Sequence, residues 1–191
     1  MADSQGMTLE DVGVSQTARV AINFEATTPP TEAELTAFPP LPSGYVDAGL
    51  MVEDGGYAPE MEAGDQTPLF QQGYYVQTGE ASRSFKLKFA EMSNPNIRKL
   101  LGVENNVQKK NFYDQPIGII VATRYANGKT FLYGGMAQVS EVSFEGNSAG
   151  EISAAEVTFK WLFRNEYCGY NREVIVSNPA GDCGGGDNSG N

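Results

Sequence analysis

The stretch "EVTFKWLFR", residues 156–164, alternates without a slip. Val157, Phe159, Trp161 and Phe163 fall on one side, and Glu156, Thr158, Lys160 and Arg164 on the other. Successive side chains of a strand point to opposite faces, so this pattern predicts a strand with one face buried and one in water. Two more stretches read the same way. "SFKLKFA", residues 84–90, sets Phe85, Leu87 and Phe89 against Lys86 and Lys88. "RVAINFEAT", residues 19–27, sets Val20, Ile22, Phe24 and Ala26 against Arg19, Asn23 and Glu25. Half-buried strands of this kind build antiparallel sheets. Phe24, Phe85, Leu87, Phe89, Val157, Phe159 and Trp161 are therefore the candidate core.

Working outward, "IGIIVATRY", residues 117–125, is apolar on both faces, which predicts a strand covered on both sides. Asn127-Gly128 follows it and precedes "KTFLYGG", a strong hairpin signal, because a type I′ turn wants positive φ at both positions. The alternation slips by one residue between Val139 and Val142, which a β-bulge around Ser140-Glu141 would explain. One helix is expected in "SNPNIRKLLG", residues 93–102. Asn94 can cap it, Pro95 suits the first helical position, and Gly102 fits a left-handed stop. A helix so short cannot persist alone, so Leu100 and Leu101 should dock it onto the core.

The remaining segments have weaker patterning. Residues 1–16 read as a flexible N-terminal arm, and 179–191 as a flexible glycine-rich tail. Residues 17–178 make a single domain. Within it, the proline-rich "TTPPTEAELTAFPPLPSGY", residues 27–45, reads as extended connector. Residues 53–80 form a long insertion, and loops of that length inside a compact domain are usually functional or partly disordered.

The 191 residues suit one domain with extensions, and a formal net charge of −11 argues against a nucleic-acid ligand, since phosphate would be repelled. No secretory signal and no apolar run of membrane-spanning length is visible, so a soluble protein used or assembled in the cytosol, with no membrane partner, is expected. Cys168 and Cys183 could close a loop worth about 3 kcal/mol if oxidised. Cytosolic thiols usually stay reduced, however, and Cys183 lies in the glycine-rich tail, so the pairing stays open.

The chain has no histidine, which removes Ser–His–Asp triads, His-assisted cysteines and HExxH zinc sites. "NGKT", residues 127–130, lacks the upstream glycine of a phosphate loop, because that position is Thr123. The most tempting cluster is "GLMVEDGGYAPEMEAGD", residues 49–65. Glu53, Asp54, Glu60, Glu62 and Asp65 could be a solvated turn, a hard-cation site or an acid–base pair. Calcium-loop spacing is missing and Asp54-Gly55-Gly56 is first of all a turn signal. No catalytic residue, metal ligand or cofactor is therefore expected, and the chain reads as a non-enzyme.

Taken in order, these features resemble the major tail (tail tube) proteins of long-tailed, non-contractile bacteriophages, of the actinobacteriophage type. The resemblance rests on segment order over about residues 10–165: an arm and amphipathic strand, "GYVDAGLMVEDGGYAPEMEAGD", "SFKLKFAEMSNPNIRKLLGV", a hairpin, and "EISAAEVTFKWLFRN". It implies a mainly β fold of two packed antiparallel sheets, sandwich- or barrel-like, with one short flanking helix. It also implies a structural virion protein, assembled in the host bacterial cytoplasm. Hexameric rings would stack into a tube through which genomic DNA leaves without specific binding. The implied partners are further copies of the chain, a tape-measure protein, and tail-terminator or tip proteins. The insertion would then be an assembly loop, with Glu53, Asp54, Gly55, Gly56, Tyr57, Glu60, Glu62, Asp65, Phe70, Tyr74 and Tyr75 as its contact residues. The rival reading is a free-standing β-sandwich binding module, for instance for carbohydrate, with a carboxylate-dependent enzyme a distant third.

Overall fold

The structure, a computed structural model, describes residues 14–38, 40–52, 56–64, 66–68, 75–77, 81–144 and 152–177. In chain order the first elements are β1 (Ser15–Asn23), α1 (Glu32–Thr36), β2 (Val46–Asp47), β3 (Ala58–Glu62), β4 (Gln66–Pro68), β5 (Tyr75–Gln77) and β6 (Ser82–Phe89). Then follow α2 (Pro95–Leu100), β7 (Val103–Glu104), β8 (Val107–Gln108), β9 (Ile117–Tyr125), β10 (Lys129–Phe144), β11 (Ala155–Trp161) and β12 (Arg172–Ser177). The fold is mainly β, and its strands pair antiparallel.

Two sheets share one long strand. The first half of β10 pairs with β9 on one side and β12 on the other, giving the sheet β2-β1-β9-β10-β12. Its second half pairs with β11, giving β10-β11-β6-β3. The pairing changes at Ala137, which faces both Ile117 and Trp161. The register shift between Val139 and Glu141 is the expected bulge, and it bends β10 as it crosses between sheets.

The alternating strands pack as predicted. Phe85, Leu87, Phe89, Val157, Phe159 and Trp161 are buried in one cluster with Val20, Ile22 and alternate residues of β9. Asn94 caps α2, Pro95 opens it, and Gly102 stops it at φ +72°. Ile97 and Leu100 are fully buried, whereas Leu101 and Phe24 are only partly so. Phe24 lies beyond the end of β1, where its ring meets Tyr113 edge-on and the Lys99 ammonium sits 4.1 Å above it.

Three expectations need correction. Residues 27–45 are not an extended connector. They include α1, whose Thr31 and Glu34 form a capping box, so the fold has a second short helix. Leu35, Phe38 and Tyr45 from this segment cover Ala21, Ile120, Ala122 and Leu132 on the outer face of the first sheet. That cover is why β9 is apolar on both sides. The approach is close: a Cβ on Gly134 would come within 2.5 Å of Leu35. Phe163 is not a core residue, because β11 ends at Trp161 and Phe163 is 55% exposed. Finally, the β9–β10 turn is a hairpin but not type I′. Gly128 is at φ +79° and Asn127 is not at positive φ, as in a type I turn closed by a glycine bulge. The paired positive φ values occur instead at Asn105 and Asn106, between β7 and β8.

Trp161 packs on Phe85 at 4.4 Å and is 2% exposed, so Trp161→Ala should cost about 3–5 kcal/mol. Phe163→Ala, only two residues on, should cost less than about 1 kcal/mol. Denaturant titration of both variants checks the placement, and equal losses would refute it.

Candidate functional site

The insertion is anchored at its base by β3, which pairs with β6 and adds an outermost strand to the second sheet. Among the described residues nothing pairs with the outer edge of β3. Pro59 lies in it, where a missing N–H is tolerated. Glu60 and Glu62 point to the solvent face, and the Lys86 ammonium lies 3.0 Å from Glu60. Met61, opposite Arg83, shares the inward side with Pro59, opposite Phe85, yet it is 67% exposed, with no described strand beyond it.

Of the other proposed assembly residues, Glu53, Asp54, Gly55, Asp65, Phe70 and Tyr74 lie outside the described residues. Tyr75 belongs to β5, which pairs with β4 in a separate two-stranded sheet. Gly56 is exposed. Tyr57 belongs to the monomer itself: its ring stacks on Tyr133 at 4.2 Å and meets Phe85 at 5.3 Å. Tyr57, Tyr133 and Trp161 floor a cleft of about 300 Å3 where the sheets part, rimmed by Arg83 and Glu173.

The opposite border of the second sheet is also open. β9 accompanies β10 only as far as Ala137, and beyond it no described strand pairs with that side of β10. Val142 opposite Val157, and Phe144 opposite Ala155, point to the core side. Phe144 nevertheless remains 58% exposed. It overlooks a groove of about 600 Å3 formed with Met92, Leu101, Val103 and Val107, the last 58% exposed. Sequence reasoning did not single out Met61, Phe144 or Val107. For Met61 and Phe144 the signal was an apolar residue in register with the core face at a strand that would end a sheet.

The solvent face of the second sheet is open and polar. Glu156 stands opposite Lys88, Thr158 opposite Lys86, and Lys160 opposite Ser84 and Gln138. The corresponding face of the first sheet is the one that α1 and its flanks cover. Among the described residues no group of three or more Cys, Asp or Glu side chains gathers as metal ligands would. No described helix is long and apolar enough to cross a membrane. Cys168 is exposed in a turn, and its pairing with Cys183 lies outside the described residues.

No family model matches the chain. No curated protein matches it in sequence. Among solved structures, one chain of the anti-feeding prophage baseplate aligns with 87% of this chain and 97% of its own, at 10% identity and a TM-score of 0.42. A chain of the sheath–tube complex of an extracellular contractile injection system, in its extended state, aligns with 78% of this chain and 99% of its own. Its identity is 12% and its TM-score 0.29. At these scores neither alignment carries an argument about this chain.

Burial pushes the hydroxyls of Tyr45, Tyr57 and Tyr133 above the ordinary tyrosine range. The folded state therefore keeps protons that the unfolded chain releases near pH ~10, and stability is full below that pH and falls as pH rises above it. The melting temperature should hold to about pH 9 and drop beyond about pH 10. The Tyr57→Phe, Tyr133→Phe double variant should show a shallower alkaline fall, and an unchanged one would contradict this origin.

Proposed function

We propose that the chain is a structural subunit of a phage-type tail, joining head to tail with further copies into rings that stack as a tube. The observation that carries this reading is the pair of borders of the second sheet that no described strand covers, each bearing an exposed apolar side chain on the core side: Met61 on β3 and Phe144 on β10. Four antiparallel strands separate these borders. β3 therefore runs opposite to β10, and a junction between them on successive copies continues the antiparallel alternation. A contact between two different patches on one molecule closes into a ring or propagates as a filament. Closure removes the open edges that burden a monomer and turns the second sheet into a continuous wall.

The polar face of that sheet would then line the bore. Its lysines and glutamates alternate with Ser, Thr and Gln, so over a screening length of about 8 Å a passing polyanion meets little net charge. The reading includes hexameric rings, a place in the virion tail, assembly in the host cytoplasm and a role as conduit for the genome, as the sequence resemblance implies. The binding-module alternative would use the tyrosine cleft. There Tyr57 and Tyr133 stack on each other and Trp161 is buried, which leaves no flat aromatic platform.

Size-exclusion chromatography followed by negative-stain microscopy tests the proposal. Wild-type protein should form rings or tubes on concentration. Phe144→Asp, at an exposed position, should stay monomeric with a melting temperature within a few degrees of wild type. Wild-type protein that remains monomeric at every concentration would refute the reading.

A further inference from the structure

The backbone of β3 offers an incoming strand a single complete anchor. Met51 bridges Phe89, with the Val52 N–H donating to the Lys88 carbonyl and the Ala90 N–H to the Leu50 carbonyl. The even-numbered residues of β6 therefore turn their peptide groups toward this side, and in β3 they meet Ala58, Glu60 and Glu62. Pro59 and Met61 turn theirs outward, away from β6. Proline has no N–H, so Met61 is the one residue of β3 with both an outward donor and an outward acceptor.

The far half of β10 matches that anchor. The Leu162 N–H donates to the Met136 carbonyl, so the even-numbered residues of β11 face β10, where Glu156 and Thr158 meet Ser143 and Glu141. Val142 and Phe144 are left with outward peptide groups, and both are core-facing, as Met61 is. Residues that exchange hydrogen bonds across an antiparallel pair carry their side chains on the same face. Met61 can therefore take Val142 or Phe144 opposite it without inverting the sheet. Val142 there would set Glu62 against Glu141, a like-charged pair, whereas Phe144 sets Glu62 against Ser143.

A core-facing ring at this position overhangs the cleft floored by Tyr57, Tyr133 and Trp161, since Pro59 and Met61 line that cleft from β3. Two phenylalanines among the described residues are more than half exposed. Phe163 meets the Tyr170 ring at 5.6 Å, whereas Phe144 meets no described ring. We propose that Phe144 of one copy enters the tyrosine cleft of the next, with Met61 opposite it in the strand pair. The inference rests on the assembly reading above and adds the register of the junction and the side chain that locks it. Aromatic rings pack edge to face, so a stacked tyrosine pair that gives a sugar no platform accepts a phenyl ring. An aromatic anchor seated in a pocket carries a large share of the energy of such a contact.

Photocrosslinking of the full chain tests it. A Phe144→p-benzoylphenylalanine chain, irradiated after assembly, should form covalent dimers joined from position 144 to residues 57–61 or to Tyr133 of a second copy, as located by mass spectrometry. Attachment to Met92, Leu101 or Val107, or at any other site, would overturn the inference and leave the ring reading standing. By sedimentation velocity, Phe144→Leu, which keeps an apolar side chain and removes the ring, should weaken self-association about fivefold or more. Phe163→Leu should leave it unchanged. A Phe144→Leu chain that associates like wild type, or equal losses in the two variants, would likewise overturn the inference, whether or not the photoreactive chain assembles. A wild-type chain that never associates would overturn both readings.

Discussion

β10 carries ladder bonds to β9 and β12 along its first half and to β11 along its second, so neither sheet can be placed without the other. This sharing needs a strand that is thin and bent at its middle. Gly134 and Gly135 supply the thinness: Leu35 occupies the space of one missing side chain and the Trp161 ring that of the other. The bulge at Val139–Glu141 supplies the bend. Because the β9 ladder ends where Ile117 meets Ala137, no described strand pairs with that edge of the far half of β10, and Phe144 is left exposed. The surface proposed for assembly is thus a consequence of how the core is built.

Most of this core was legible because half-buried strands carry their own burial pattern. Residues 84–89 and 156–161 alternate cleanly, and both pack as that alternation implies. Residues 27–45 misled because prolines dominate the local signal, while the Thr31–Glu34 capping box that starts α1 is short and easily passed over. Phe163 continues the alternation past the last ladder pair, and periodicity alone cannot mark where a neighbouring strand ends. The acidic insertion drew attention by its charge, yet Tyr57 within it is an inward-facing aromatic that belongs with Phe85 and Tyr133. Which edge residues stay exposed depends on strand order, and strand order is not a local property of the sequence.

The proposed junction is modest in strength and specific in geometry. One buried methionine and one buried phenylalanine contribute about 1.5–3 kcal/mol each. Those gains barely offset the cost of fixing two bodies together. A single junction should therefore be transient. A closed ring makes each further contact intramolecular, so the last junction forms at a high effective concentration. Weak junctions with strong closure let misplaced subunits leave before a ring is complete.

The account depends on Met61 of one copy lying beside Phe144 of the next. The direct measurement is oxidative cross-linking of the Met61→Cys, Phe144→Cys chain with Cys168 and Cys183 changed to Ser. On a non-reducing gel it should give a ladder ending in one closed oligomer, with neither single-cysteine chain passing beyond a dimer. Rings that assemble normally but never cross-link between these positions would contradict the account.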